Sequence, residues 1–462
     1  MSKCKLWWPT VNPDWDLFPA VVERCTDSGV KLLGGSVGDQ AAAERNAQKT
    51  IEEKVIPVLQ QMKHLNHPQY ELLLLRYCAG VPKFMHHLRT SSPGLLSAAV
   101  ATFDKAIADS LFHILGTADE SKMRQICLPV RFGGTGVVRA NDCAIPAFLG
   151  ALVQTINLRA QILGSPVISL IPQIEEHLSA FNEKLEIADR IPLDSLLEQR
   201  KPQKFLSTVW NQSLIATLKN TLRSPKDIRN LEAREMKHAG SFLHAIPIDG
   251  LGLCMNALEF KFRCRLFFGL PIYDQQVVCS ACESTQSDTM GIHALSCRVG
   301  NLGPASRHNV IRDTLFRIGS EASIPVIKEA AGLVRDASRP GDVLFQGFVN
   351  GKDLAVDVTV FDQYQKLESP MPKIFKDKAE SKHSRYDALC SEGNLEFSPL
   401  VMGSIGGFED EGLIVIEKLA KEWGMTRGQG FSTSVGFICQ RLVFTLKKMQ
   451  ARSLIARMIV GS

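Results

Sequence analysis

The sequence predicts a multidomain chain, mainly α in its N-terminal half and α/β after residue 300, with a small cysteine- and histidine-bearing module between the two. Three observations carry this. The 462 residues exceed one ordinary core of about 100–200 residues. Apolar residues recur at three- and four-residue spacing through much of 41–163, the period of helices packed on one face. After residue 300, β-rich runs alternate with helical ones, the pattern of sheets and helices sharing one domain.

The elements follow in order. Leu32-Leu-Gly-Gly-Ser-Val-Gly38 reads as a short apolar strand running into a glycine turn. Ala41–Leu65 is rich in good helix formers, and Tyr70–Cys78 continues the helical pattern beyond Pro68. Leu95–Leu115 is a third helix with Gly116 at its end. Leu128–Gly136 holds a proline and three glycines and is a turn between helices, which resume at Ala140–Leu163. Pro166, Pro172, Pro192 and Pro202 punctuate a mixed region. The charged helix Lys226–His238 is expected to be a solvated face. Helices are expected at Ala257–Leu270, His308–Ile318, Lys373–Leu389 and Leu413–Trp423, and a strand at Phe397–Val401. The runs Asp342–Phe348 and Leu354–Phe361 are joined by Asn350-Gly351, the strongest short hairpin signal.

Composition narrows the classes. With 45% hydrophobic and 22% charged residues the chain is not mainly disordered. Its uncharged stretches Cys143–Leu158 and Ala160–Ile174 fall short of the ~20 apolar residues that span a bilayer, so no membrane segment is expected. The start, Met1-Ser-Lys-Cys-Lys-Leu-Trp-Trp-Pro, lacks a signal-peptide layout, and a reducing compartment is expected. The net charge of +5 is mild but uneven, for Gly424–Ser462 has no acidic residue against Arg427, Arg441, Lys447, Lys448, Arg452 and Arg457. That tail reads about evenly as a solvated or a nucleic-acid face. Lys261, Arg263 and Arg265, interleaved with Phe260, Phe262 and Phe267, are further candidates for phosphate contact.

Two constellations carry chemistry. Cys279, Cys282, His293 and Cys297 give C-x2-C-x10-H-x3-C, the spacing of a zinc knuckle. Four protein ligands close a tetrahedral ion, which makes a structural zinc the leading reading over unrelated core residues, a redox Cys-x-x-Cys or a catalytic metal. The second set is Asp342 in one arm of the hairpin and Asp357 in the other, with Lys382 and Tyr386 on a later helix. Two carboxylates on adjacent strands can hold one Mg²⁺, and Lys382 can orient or deprotonate an attacking water. Glu329 is a possible additional ligand. Capping aspartates beside an exposed lysine are the alternative, and the pattern alone does not decide between them.

The ordered set Cys279/Cys282/His293/Cys297, Ser306-Arg307-His308-Asn309, Lys328-Glu329, Arg339-Pro-Gly-Asp342, Val356-Asp357-Val-Thr-Val360 and Lys382-x-x-Arg385-Tyr386 resembles the knuckle and restriction-like endonuclease domain of non-LTR retrotransposon proteins, of the PD-(D/E)xK class. The resemblance implies a metal-dependent DNA endonuclease that nicks target DNA. It makes Asp342 and Asp357 the Mg²⁺- or Mn²⁺-binding acids and Lys382 the lysine, with Arg385 and Tyr386 beside them. Arg307, His308, Arg339, Arg385, Lys261 and Arg263 become expected nucleic-acid contacts. Here Pro340-Gly341-Asp342 stands for the more usual Pro-Asp, and Arg385 for a frequent second lysine.

Upstream, Lys3-Cys4-x-Leu6, Leu33-Gly34, Cys78 to Arg89, Phe103-Asp104 and Leu128-Pro-x-Arg-x-Gly-Gly-x-Gly136 resemble the stretch after the reverse-transcriptase palm and through its thumb. The implied organisation is a palm-end remnant at 1–40, thumb-like helices at 41–200, a linker with a helical segment at 201–275, the knuckle at 276–300 and the restriction-endonuclease-like α/β domain at 301–462. No Tyr-x-Asp-Asp motif occurs, so the chain is expected to lack the polymerase centre. DNA and element RNA are the implied partners, with a polymerase possible in trans and a nuclear location. The alternative is a catalytically inactive nucleic-acid-binding remnant.

Overall fold

The computed structural model describes residues 5–7, 17–25, 29–116, 119–283, 286–334, 339–364 and 366–458. Lys3 and Cys4 of the N-terminal resemblance lie outside them. The chain is multidomain and largely helical, with a small mixed sheet in its C-terminal part. It divides into two compact units, one of 1–66, 71–116 and 136–218, the other of 67–70, 117–135 and 219–462.

In the first unit the hairpin Gly29–Leu32/Gly35–Gly38 turns through Leu33 and Gly34, both at positive φ. The expected single strand at Leu32–Gly38 is thus a turn and a second arm. The helix expected over Ala41–Leu65 runs from Gln40 to Lys63, with Asp39 accepting from the Ala42 N–H. It is interrupted by a wide turn at Ile51–Val55, just before Pro57, whose missing N–H cannot continue the regular ladder. Ser97–Leu115 ends at Gly116 with φ +82°. Pro192 stands just before a helix, while Pro172 and Pro202 each occupy one of the first two positions of a helix, where a missing donor costs nothing. The mixed region is therefore helical too.

Ala140–Leu163 is by length and composition apolar enough to cross a membrane. It buries Phe148, Leu149, Leu152, Val153 and Ile156 against Ile174, Leu178, Phe181 and Leu206.

In the second unit, α1 (Pro225–Glu235) and α2 (Ala257–Phe267) precede the cysteine-bearing module. Then come α3 (Pro304–Glu321), β1 (Val326–Lys328), β2 (Val343–Val349), β3 (Lys352–Phe361), α4 (Met371–Glu392), β4 (Glu396–Gly403), α5 (Asp410–Arg427) and α6 (Phe431–Ala456). The sheet order is β4-β3-β2-β1. β2 is antiparallel to both neighbours, and β4 runs parallel to β3 after the α4 crossover. Asn350 (φ +51°) and Gly351 (φ +79°) make the expected β2–β3 turn. β3 is central and buried from Leu354 to Val358.

Two expectations about charged segments are corrected. Helix α1 is not a solvated face, since Arg229, Asn230, Leu231, Ala233 and Arg234 are all buried. Arg229 donates to the carbonyls of Gln363, Lys366, Leu367 and Ser369, and Arg234 to Gly133 O and Gln125 Oε1. Those acceptors lie far away in sequence, so the charges face inward. In α6 likewise Arg441 and Lys447 are buried, as is Arg457 just beyond its end, which leaves the exposed Arg427 and Arg452 and the half-buried Lys448 as the more accessible charges of Gly424–Ser462.

Candidate functional site

The thiolates and imidazole of Cys279, Cys282, His293 and Cys297 lie within 4.8 Å of one another. The Cys279–Cys297 sulfurs are 3.9 Å apart and Cys282 Sγ is 3.4 Å from His293 Nε2. Ideal tetrahedral Zn–S and Zn–N bonds of about 2.3 and 2.0 Å would give edges of roughly 3.8 and 3.5 Å. The group is thus able to hold a metal such as zinc.

Local chemistry builds this placement. The Asp288 carboxylate accepts from the N–H groups of Met290, Ile292 and His293, opening the short helix Ile292–Ser296 that carries His293. Gly291 sits at φ +71°, and a Cβ there would come within 2.4 Å of Leu454, so glycine lets α6 approach. Phe262 and Leu266 of α2 and Leu454 of α6 pack with Ile272, Tyr273 and Ala294. Tyr273 Oη donates to Leu454 O at 2.9 Å, and Ser280 Oγ to Ala456 O at 2.8 Å. The buried Arg457 guanidinium donates to the carbonyls of Cys297, Val299 and Leu302. Its role is to clamp the module's exit.

The acidic set gathers around β3. Asp342 N–H donates to Val356 O at 2.9 Å, and its Oδ2 accepts from Val358 N–H at 2.7 Å, so Asp342 brackets Asp357 from the neighbouring strand. The added Gly341 lies flat against β3, where a Cβ would meet Val356 O at 3.0 Å. His308 Nε2 of α3 is 3.0 Å from Asp342 Oδ1. The hydrogen bond to Asp342 raises the His308 pKa against burial, and the charges of Asp342 and Asp357 add to the rise. Asp357, buried in the central strand, pairs with Lys382 Nζ at 2.8 Å and accepts from Thr359 Oγ1 at 3.2 Å. The sequence-predicted acids and lysine therefore come together, with His308 joining them as an ion-pair partner.

Other predicted residues have different surroundings. Glu329 is held between Arg312 and Arg339, its carboxylate neutralised by two guanidinium groups rather than turned to an ion. Tyr386 is buried against Phe397, with Lys382 and Arg385 over its ring. Arg385 is exposed and Arg307 and Lys261 are half-buried. Arg263 is corrected outright. It is fully buried and none of its three guanidinium nitrogens has a hydrogen-bond partner, so it cannot reach a duplex on the surface.

The sequence reading did not single out Asp288 or Arg312, named Arg457 only as one charge of the basic tail, and quoted Thr359 only within the motif around Asp357. Of these only Asp288, in Asp-Thr-Met-Gly, has a local turn signature. Gly133-Gly134-x-Gly136 is a tight turn, where a Cβ at Gly134 would lie 1.9 Å from Leu128 O. His87 is buried against Thr50, and burial pushes its pKa down to about 4. Compared with known proteins, the chain matches no family model and no curated protein.

Proposed function

We propose that the second unit is a metal-dependent DNA endonuclease of PD-(D/E)xK type, derived from a non-LTR retrotransposon protein. The observation that carries this reading is the meeting of Asp342, Asp357 and Lys382 at one point of the sheet, with Asp357 in its central strand. A carboxylate buried among Ala355, Val356 and Val358 is costly without a cation.

Asp342 and Asp357 are the residues that would hold Mg²⁺ or Mn²⁺, an oxygen-seeking ion that neutralises phosphate charge when bound. Lys382 is positioned to orient a water or to meet charge developing on the phosphate. His308 adds an imidazole at the same place, its pKa raised by the hydrogen bond to Asp342. Arg385, on the exposed side of α4, is the contact for the strand backbone. The Cys3His module carries structural zinc, and the partners are DNA and element RNA, in a nuclear setting where a separate polymerase acts in trans.

One observation favours a second reading, a nucleic-acid-binding remnant without catalysis. Both acids already have basic side-chain partners, Lys382 at 2.8 Å and His308 at 3.0 Å. A plasmid-nicking assay in Mg²⁺ or Mn²⁺ decides between them. Wild type is expected to nick, Asp342→Ala and Asp357→Ala to bind DNA without nicking, and Lys382→Ala to nick far more slowly. Equal nicking by Asp357→Ala would remove the assignment; a wild type inert with every divalent ion would leave the binding reading.

A further inference from the structure

Beyond the acidic set, the second unit holds a cavity of ≈ 380 Å³ between the cysteine-bearing module, the start of α3 and the end of β3. That lies in the lower part of the ~300–1,000 Å³ range of small-ligand pockets. Its charge is one-sided: Arg298, Arg307 and Lys378 line it against the single acid Asp362. No ion pair or hydrogen bond occupies the Arg307 or Lys378 head group among the described residues. Its remaining lining mixes polar residues such as Ser404 and Gln450 with the apolar Leu266, Leu295 and Phe361.

Two further observations mark it as a place for a ligand with an anionic end and a hydrogen-bond donor. Helix α3 begins at its wall through Pro304 and Arg307, with no side-chain cap and no acidic residue in its first turn, so its positive end is uncompensated. Gln450, which lines the cavity, is fully buried and its Oε1 has no partner while its Nε2 is spent on Ser404 O, which leaves an acceptor suited to a base N–H rather than to phosphate. Behind Leu266, one turn back on α2, the fully buried Arg263 likewise has no partner for any guanidinium nitrogen. Burial pushes Arg307 down to about 10, with Asp362 raising it and Arg457 lowering it, and pushes Arg263 down to about 9, with Arg307 adding to the fall. Three cations against one carboxylate leave the cavity an excess of positive charge that an anionic ligand complements.

We propose that this cavity is a nucleotide-binding pocket that takes a phosphate at Arg307, Lys378 and the start of α3, and a base against the apolar Leu266, Leu295 and Phe361. Thr359 connects it to the acidic set, since it lines the cavity and donates to Asp357. A role as the subsite for one nucleotide of the strand being cut rests on the nuclease reading; nucleotide binding itself does not.

The test is calorimetric titration of the full chain, without divalent metal, with 2′-deoxyadenosine 5′-monophosphate, deoxyadenosine and inorganic phosphate in turn. The monophosphate is expected to bind saturably and more tightly than either fragment. Lys378→Met and Arg307→Met are each expected to weaken it by about tenfold or more, as loss of a charge-assisted contact should. Lys376→Met, exposed on the same helix, is expected to leave binding unchanged. Lys378 stands at the edge of the cavity, so that variant is informative even if Arg307→Met misfolds. Absence of saturable binding, equal affinity for deoxyadenosine, or full affinity in Lys378→Met would each overturn the proposal. Asp357→Asn is titrated in parallel: it is expected to keep nucleotide affinity while losing nicking, so failure of the pocket and failure of the nuclease reading are seen separately.

Discussion

Cys282→Ser tests the metal centre most directly. The exchange keeps the side chain's size but replaces a thiolate ligand with a hydroxyl that stays protonated at neutral pH. Of the buried members of the local core only Ala294 lies within 276–300, with Val277 and Leu295 partly buried on it, the rest coming from Ile272, Tyr273, α2 and α6. So little apolar burial does not by itself order the Cys279–Cys297 chain, and a bound structural zinc, worth about 10–16 kcal/mol in small sites, would be its main stabilisation. Elemental analysis is expected to find about one zinc per wild-type chain and little in the variant. Hydrogen exchange should show protection lost across 279–297. The last turn of α6 should fray with it, because Leu454 O, Ala456 O and Arg457 all have partners in the module or its exit. The sheet should keep its protection. Unchanged zinc content together with unchanged exchange in Cys282→Ser would refute the reasoning.

Arg263→Met removes a buried charge that has no hydrogen-bond partner and whose guanidinium lies 5.9 Å from the Phe242 ring centroid, while keeping an apolar stem of similar length. Urea unfolding is expected to show equal or greater stability, by about 1 kcal/mol, and a loss above about 2 kcal/mol would reveal an unrecognised partner. Arg441→Ala breaks a two-pronged pair with Glu321, which also accepts from Trp423. With Glu321 partly exposed, a cost of about 2 kcal/mol is expected from denaturant midpoints, and no loss would mean the pair is worth nothing. His383 lies between Asp387 at 2.8 Å and Glu411 at 2.7 Å; burial lowers its pKa, the two carboxylates outweigh that, and the result is raised. Its stabilisation is therefore full below the unfolded value of about 6.5 and fades as pH rises through the folded one. His383→Gln should melt lower than wild type near pH 5.5 and converge with it as pH rises through the raised folded-state value, whereas a pH-independent difference would contradict the linkage.

What could be read from the sequence was what is decided locally. Gly116 and the Asn350-Gly351 turn were legible because positive φ restricts residue choice, and the Cys3His group because ligand spacing is short-range. The four prolines misled in one respect: each forbids a helix interior but not a helix start, and all four sit at or just before one, Pro166 ahead of a short 3₁₀ turn. The buried arginines were illegible for a deeper reason. Long basic stems pack like apolar side chains, and the carbonyls that receive Arg229 and Arg457 come from loops far along the chain. A charged helix reads as solvated until those loops are in place.

The same distinction explains how the acidic set is assembled. Nothing in the spacing between Asp357 and Lys382 makes them neighbours. The β3–α4–β4 crossover does, because a parallel partner for β3 requires the chain to return across the sheet, and α4 packs on the strands it connects. Lys382 on that helix then meets the carboxylate of the central strand. Asp342 arrives by a different route, through a hairpin whose near side is pressed against β3 at Gly341. His308 comes from a third element, α3. Four charges from four segments thus converge because sheet topology and one close backbone approach bring them together, and each finds a partner of opposite sign. Such a cluster holds its own side chains in place through their mutual ion pairs, with no ligand needed to gather them.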